Sequence, residues 1–202
     1  MEGYILSKSS SIVSLIVVCL LFAVIGIYYS KKFTGFNNYL TANRNVGFVS
    51  LTTSLVASSL GAWILFGPSS AATWGGIGAV IGYSLGAAFP MFFLIFLGKK
   101  IRNENKQGSS LVEFIRKKFK KSFFKFILIL TIFYLFIFLC AEVTAISILL
   151  NYLSGIDLWI TASCILFFTL IYTLYGGLRV SIITDNFQLI FIIIFLLIAF
   201  AS

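Results

Sequence analysis

The stretch YGGLRVSIITDNFQ, residues 175–188, places an arginine, an aspartate, an asparagine and a glutamine between two long apolar runs. ASCILFFTLIYTL (162–174) precedes it and LIFIIIFLLIAF (189–200) follows it. Polar side chains are costly in hydrocarbon unless they find partners. The flanking runs indicate a membrane protein, and the polar stretch marks a turn between two of its spans.

The composition excludes a water-soluble fold. The 202-residue chain is 60% hydrophobic and 10% charged, with a mean hydropathy of +1.06, whereas soluble domains carry about 25% charged residues. Several runs reach the roughly 20 apolar residues that a helix needs to cross a bilayer. They lack the alternation of a membrane β-barrel. We therefore predict an all-α polytopic membrane protein.

Six transmembrane helices are predicted, at 11–29, 48–72, 77–97, 124–150, 158–175 and from 184 to the end. Apart from Lys8, every basic residue falls in the loops 30–47, 98–125 and 176–183. Because cytoplasmic loops carry the excess of Lys and Arg, these loops are expected in the cytoplasm, with the N-terminus outside. The expected location is the cytoplasmic (inner) membrane.

Other function classes find little support. The net charge of +9 does not indicate a nucleic-acid partner, because the basic residues lie beside spans and set their orientation. The chain has no histidine, and its three cysteines form no CxxC pair, so no zinc site or nucleophile–base set is visible. We expect neither enzymatic activity nor an organic cofactor.

The segment SSLVEFIRKKFKK (109–121) predicts a short amphipathic helix. Ser110 and Glu113 have the spacing of a capping box, and Leu111, Ile115 and Phe119 recur every four residues among basic side chains. Such a helix suits the anionic inner leaflet. A solvated basic loop is the alternative.

The second predicted span differs from the uniformly apolar ones. Small, hydroxyl and helix-weakening residues interrupt it, at Ser54, Ser58, Ser59, Gly61, Gly67, Pro68, Ser69 and Ser70. Non-helical backbone at membrane depth survives only where it lines a cavity or is buried in protein. In secondary transporters, broken helices offer carbonyl oxygens to Na⁺. We predict a discontinuous helix, unwound near Ala57 to Gly61.

Two carboxylates fall inside spans. Glu142 lies in the fourth span, where an ionisable side chain is by default a functional candidate; a protonated or hydrogen-bonded structural glutamate is the alternative. Asp185 opens the sixth span. Taken alone, it also fits an N-terminal helix acid with Thr184 as the cap.

YTLYGGLRVSIITDNFQ (172–188) resembles the signature region of the sodium:solute symporter family. NNYLTANRNVG (37–47) is similar to the family's loop ahead of the first core helix, with Asn43 in place of a glycine. VASSLGAWILFGPSSAATWGG (56–76) is similar to the first core helix, and LVEFIRKKF (111–119) to the loop between the second and third. The resemblance extends from Tyr39 to the end.

The resemblance implies a LeuT-type fold of two inverted five-helix repeats. Residues 1–47 would form a leading helix and loop, and 48–202 the first repeat. Because the chain stops at Ser202 within the fifth core helix, the second repeat is expected from a longer product or a partner chain.

The resemblance also implies site residues. Na⁺, the coupling ion, would be held in part by the backbone carbonyls of Ala57 and Leu60. Asp185 and Gln188 would line the inner ion pathway. The substrate cavity would be formed by Ser58, Ser59, Gly61, Trp63 and Glu142.

The implied function is the N-terminal part of a Na⁺-coupled symporter for a small polar solute. The likeness of Trp63 to proline-permease-like members favours an amino acid-like solute. The alternatives are an H⁺-coupled symporter with Glu142 as the carrier, the membrane sensory module of a symporter-like receptor, and a purely structural membrane subunit.

Overall fold

The computed structural model describes residues 5–105 and 110–201, without the side chains of residues 63, 65 and 199. Helices fill most of this described chain, and no strand occurs in it. In chain order they are α1 (Lys8–Lys32), α2 (Phe36–Thr41), α3 (Phe48–Ser59), α4 (Trp63–Glu104), α5 (Leu111–Lys118), α6 (Lys121–Ser154) and α7 (Leu158–Ala201). The all-α prediction is confirmed.

Four helical segments are long and apolar enough to cross a membrane, namely Lys8–Lys32, Phe66–Glu104, Lys121–Ser154 and Leu158–Ile198. The second and fourth have 39 and 41 residues, about twice what one crossing requires. α3 is apolar but has only 12 residues. The multi-pass membrane class is therefore confirmed, whereas the count of six spans stays a prediction.

A glycine interrupts each of the two longest helices. Gly76 in α4 has φ 60° and ψ −156°, and Gly177 in α7 has φ 59° and ψ −157°. Side chains disfavour this backbone conformation, so glycine is the residue that fits. The predicted turn 176–183 is too long: the break is confined to Gly177, because residues 178–183 contain no helix breaker and remain helical.

α1 lies along the first half of α7. The Lys8 ammonium is 3.8 Å from the Asp157 carboxylate near the start of both helices. Further along, Gly26 contacts Tyr172 so closely that a Cβ at Gly26 would collide with the tyrosine Cβ. From the first contact to the second, the residue number rises in both helices, so this half of α7 runs parallel to α1.

α1 also contacts the second half of α7, in the opposite direction. The Phe22 ring lies 6.2 Å from the Phe191 ring, and the Tyr29 ring lies 6.4 Å from the Phe187 ring. From the first ring pair to the second, the residue number rises in α1 and falls in α7, so this half of α7 runs antiparallel to α1. The chain therefore reverses at Gly177, and α7 is a hairpin of two helices.

The chain divides into two compact units, one containing the residues up to Ala62 and from Glu142 onward, the other Trp63–Ala141. Small or polar side chains dominate the most buried positions of the first unit: Ile156, Val180, Thr161, Thr184, Ser147 and Ser154. Many large apolar side chains are exposed instead. This distribution is typical of helices that pack through small residues inside lipid.

The amphipathic helix predicted after residue 109 is present as α5. The Ser110 hydroxyl accepts a 3.2 Å hydrogen bond from the Glu113 N–H, as the capping-box spacing predicts. The helix ends at Lys118, where the N–H of Phe119 donates to the carbonyl of Ile115. An irregular basic loop is thus excluded for these residues.

Candidate functional site

The second predicted span is discontinuous. α3 ends at Ser59, α4 begins at Trp63, and Leu60–Ala62 lie outside both helices. The Leu60 N–H donates to the carbonyls of Val56 at 3.0 Å and Ala57 at 3.1 Å, which tightens the last turn of α3. The predicted unwinding is present, but it starts at Leu60, because Ala57 still belongs to the helix.

Glu142 contacts the break. A Cβ built at Gly61 would collide with the Oε1 atom of the Glu142 carboxyl group. Only a residue without a side chain lets α6 bring a carboxyl group against the backbone here. Two residues predicted from the sequence to share a cavity therefore lie side by side.

Asp185 faces the serines of α3. The Ser54 hydroxyl donates a 2.5 Å hydrogen bond to Oδ2 of Asp185, and the Ser58 hydroxyl lies 3.4 Å from the same oxygen. Asp185 lies inside α7, and the Thr184 hydroxyl donates to the carbonyl of Ser181. The reading of Thr184 as a helix cap is therefore wrong, because the helix already begins after Gly177.

Asn186 extends the contact between α3 and α7. The Thr53 hydroxyl donates to Oδ1 of Asn186 at 2.6 Å, and Nδ2 of Asn186 donates to the Ser50 hydroxyl at 2.5 Å. Sequence reasoning assigned Ser50 and Asn186 no role. The available signal was the spacing of Ser50, Ser54 and Ser58, since residues four apart share one helix face.

The remaining predicted site residues have different surroundings. The exposed Ser59 hydroxyl donates to the carbonyl of Leu55 in its own helix. Gln188 is half-buried on α7. Trp63 begins α4, and its side chain lies outside the described residues. The structure thus brings together Gly61 with Glu142, and Ser58 with Asp185.

A second polar contact fixes the hairpin against the segment before α3. Nη1 of Arg179 donates to the carbonyls of Ala42 at 3.2 Å and Asn45 at 2.5 Å. Its guanidinium carbon lies 4.8 Å from the centre of the Phe33 ring. A Cβ at Gly177 would stand 2.5 Å from the carbonyl oxygen of Tyr39, so glycine is also needed for this approach.

The segment held by Arg179 is a left-handed turn. Ala42, Asn43 and Arg44 have φ angles of 51°, 52° and 53°. Glycine and asparagine tolerate this region best. Asparagine at residue 43 is therefore compatible with the turn.

The site offers oxygen ligands: backbone at the break, serine hydroxyls on α3, and the carboxyl groups of Glu142 and Asp185. Carbonyl oxygens at broken helices are the type of ligand that transporters offer to Na⁺. In the described part of the chain, no group of three His, Cys, Asp or Glu side chains is placed to hold a metal ion.

The chain is similar in sequence to known transporters. The chain is 29% identical over 179 residues to the spermidine transporter DUR31 of Candida albicans, covering 88% of this chain and 34% of that protein. It is 25% identical over 186 residues to the sodium/glucose cotransporter of Vibrio parahaemolyticus, covering 84% and 32%. The chain therefore spans about a third of the length of these relatives. No solved structure matches it significantly.

The sequence pattern of one family matches most of the chain. The sodium:solute symporter family matches residues 39–201, which include α3, the break, Glu142 and the α7 hairpin. The chain belongs to the sodium:solute symporter family.

Proposed function

We propose that this chain forms the N-terminal part of a secondary active transporter, which couples Na⁺ entry to uptake of a small polar solute across the cytoplasmic membrane. The observation that carries the proposal is the break at Leu60–Ala62, with the Glu142 carboxyl group against Gly61. Broken helices that meet polar groups inside the membrane are typical of ion and substrate sites in secondary transporters.

The proposed architecture has six spans. The reversal at Gly177 supports a division of α7 into two spans, and the same backbone conformation at Gly76 supports a division of α4. Residues 1–47 would then be the leading helix and loop, and 48–202 the first repeat of a LeuT-type core. A second repeat would come from the same longer chain or from a partner. The distribution of Lys and Arg supports an external N-terminus.

In the proposed mechanism, Na⁺ binds at the break and the serine face of α3 near Asp185. The carbonyls of Ala57 and Leu60 are the candidate backbone ligands. Asp185, and Gln188 about one turn further along α7, would line the route by which the ion leaves. Ion binding would favour one orientation of the transporter, because a ligand shifts a conformational equilibrium by its difference in affinity for the two states.

The solute is proposed to carry an amine. A carboxyl group at the break complements a cationic solute better than a neutral sugar, and one relative is named for spermidine. Glu142 would bind the amine, with Ser58, Ser59, Gly61 and Trp63 around the same cavity. H⁺ coupling through Glu142 is the competing role for this side chain.

The test is uptake into proteoliposomes by the longest product that contains this chain. Spermidine, proline and glucose are supplied under an imposed Na⁺ gradient, an imposed H⁺ gradient, or neither. We expect accumulation of the amine driven by Na⁺, which Glu142→Gln abolishes. Ser14→Ala should preserve it, because the exposed Ser14 hydroxyl donates to the carbonyl of Ser10 within α1, outside the proposed site. Accumulation that ignores the Na⁺ gradient would contradict Na⁺ coupling. Uptake driven by the H⁺ gradient and lost in Glu142→Gln would favour H⁺ coupling instead.

A further inference from the structure

We propose that a basic cavity between α5 and α6 binds the phosphate of an anionic lipid headgroup. The cavity has a volume of about 420 Å³ and is lined by Arg116, Lys121, Phe124 and Lys125. Binding sites for small molecules usually measure roughly 300–1,000 Å³. This site is separate from the proposed transport function, because none of its residues belongs to the helix break.

The charges nearby leave this cavity available to an external anion. Lys117 forms an ion pair with Glu113 at 2.8 Å, and Lys118 forms one with Glu104. Across the described residues, the three cations of the cavity form no ion pair with a carboxylate. Like charges that line one cavity repel each other, so a bound anion would relieve this repulsion.

The arrangement of the basic side chains suits a phosphate group. Lys121 and Lys125 are four residues apart, and therefore lie on one face of α6. Arg116 approaches from α5, and its planar guanidinium group can donate two parallel hydrogen bonds to phosphate oxygens. Two helices thus contribute cations to one cavity, which an isolated basic surface would not do.

The surroundings favour a lipid over a free phosphate ion. The candidate membrane span Lys121–Ser154 begins at the cavity. Phe119 and Phe123, which are 49% and 44% exposed, stand in the segment that carries the lining residues, and their rings lie 5.0 Å apart. Exposed apolar side chains next to a cationic cavity match an amphiphile, whose acyl chains accompany its headgroup. Basic pockets at membrane surfaces bind anionic headgroups in this way.

The experiment is native mass spectrometry of the 202-residue chain in a neutral detergent. Phosphatidic acid, phosphatidylcholine and inorganic phosphate are titrated separately and in competition. We expect one molecule of phosphatidic acid per chain, displaced by neither of the other two. The double variant Lys121→Gln/Lys125→Gln should bind it roughly 25-fold more weakly, since each basic residue near a membrane contributes about fivefold. The matched control Lys99→Gln/Lys120→Gln removes the same charge outside the cavity and should retain most of the binding.

Three outcomes would overturn the proposal. Equal losses in the two double variants would indicate general surface charge rather than a site. Equal affinity for phosphatidylcholine would exclude recognition of the anionic headgroup, and displacement by inorganic phosphate would assign the cavity to the free ion.

Arg116→Lys, which keeps the net charge but removes the guanidinium fork, should weaken binding severalfold. If circular dichroism shows that the double variant loses helix, the binding affinity of Arg116→Lys decides the test instead.

Discussion

The Ser54 hydroxyl donates a 2.5 Å hydrogen bond to the carboxyl group of Asp185, which joins α3 to the second half of α7. The two residues are 131 positions apart in sequence. Ser58, one turn further along α3, lies 3.4 Å from the same oxygen. The polar stretch that opens the second half of α7 is therefore a helix contact as well as part of a candidate ion pathway.

Removing the Ser54 hydroxyl should destabilise the chain. Ser54→Ala leaves the Asp185 carboxyl group without its shorter hydrogen bond, and bonds to charged groups contribute about 1.5–3 kcal/mol. Since about 1 kcal/mol corresponds to roughly 2–4 °C for a domain of this size, Tm in detergent should fall by several degrees. Ser59→Ala is the control, because the exposed Ser59 hydroxyl bonds only to its own helix. Equal Tm values for the two variants would contradict the contact.

Adding a methyl group at the break should be harmful. Gly61→Ala places a Cβ against the Glu142 carboxyl group, and such overpacking costs about 1–3 kcal/mol. Glu142→Asp withdraws the carboxyl group by one methylene, so the double variant should recover part of the loss in thermal unfolding. Gly78→Ala is the control: a Cβ there meets nothing within 4 Å. It should be neutral or stabilising, because alanine favours helix. Purely additive effects of Gly61→Ala and Glu142→Asp would exclude the clash.

Because the turn is left-handed, replacing Asn43 by alanine should lower the stability more than replacing it by glycine. Asn43→Ala keeps a Cβ at a φ of 52° but removes the side-chain amide that favours this conformation, so it should lose part of the about 1–2 kcal/mol that a left-handed residue costs. Asn43→Gly should unfold close to the wild-type temperature. Asn45→Ala, two positions away with a φ of −116°, should change stability by less than about 0.5 kcal/mol. If the two alanine variants unfold alike, the turn is not left-handed in solution.

Two buried threonines of α7 should respond oppositely to replacement by valine. No described residue is a hydrogen-bond partner of the buried Thr161 hydroxyl, whereas the Thr184 hydroxyl donates to the Ser181 carbonyl at 2.9 Å. Thr161→Val removes an unsatisfied polar atom and should raise Tm, since such an atom costs about 1–3 kcal/mol. Thr184→Val removes a formed bond and should lower Tm. A higher Tm for Thr184→Val than for Thr161→Val would be the contrary result.

Local chemistry explains which features could be predicted from the sequence. The lengths of the apolar runs indicated the helices, and the spacing of Ser110 and Glu113 indicated the start of α5. Interruption of the second span was predictable from its small residues, and its position was predictable to within a few residues: the prediction was Ala57 to Gly61, and the break is at Leu60–Ala62. Pro68 suggested a further interruption, yet α4 continues through it as its sixth residue, so proline here removes a backbone hydrogen bond without ending the helix.

Tertiary contacts explain what could not be predicted. The partners of Asp185 on α3 depend on how α3 packs against α7, which no local pattern encodes. The contact of Glu142 with Gly61 likewise requires α6 to meet the break. The left-handed φ angles of Ala42 and Arg44 have no local signal, because neither residue favours this conformation; the Arg179 side chain holds the turn from α7.

Labelling of a cysteine at Leu60 tests the proposed ion site most directly. In the longest product that contains this chain, Cys19, Cys140 and Cys164 are replaced by alanine, and Leu60→Cys is labelled with a thiol reagent in Na⁺ or in K⁺. We expect labelling to be about tenfold slower at a Na⁺ concentration ten times the Kd, since only unoccupied sites react. Asp185→Asn should remove this protection, and Phe48→Cys at the start of α3 should label equally in both salts. Equal rates for Leu60→Cys in Na⁺ and K⁺ would contradict an ion site at the break.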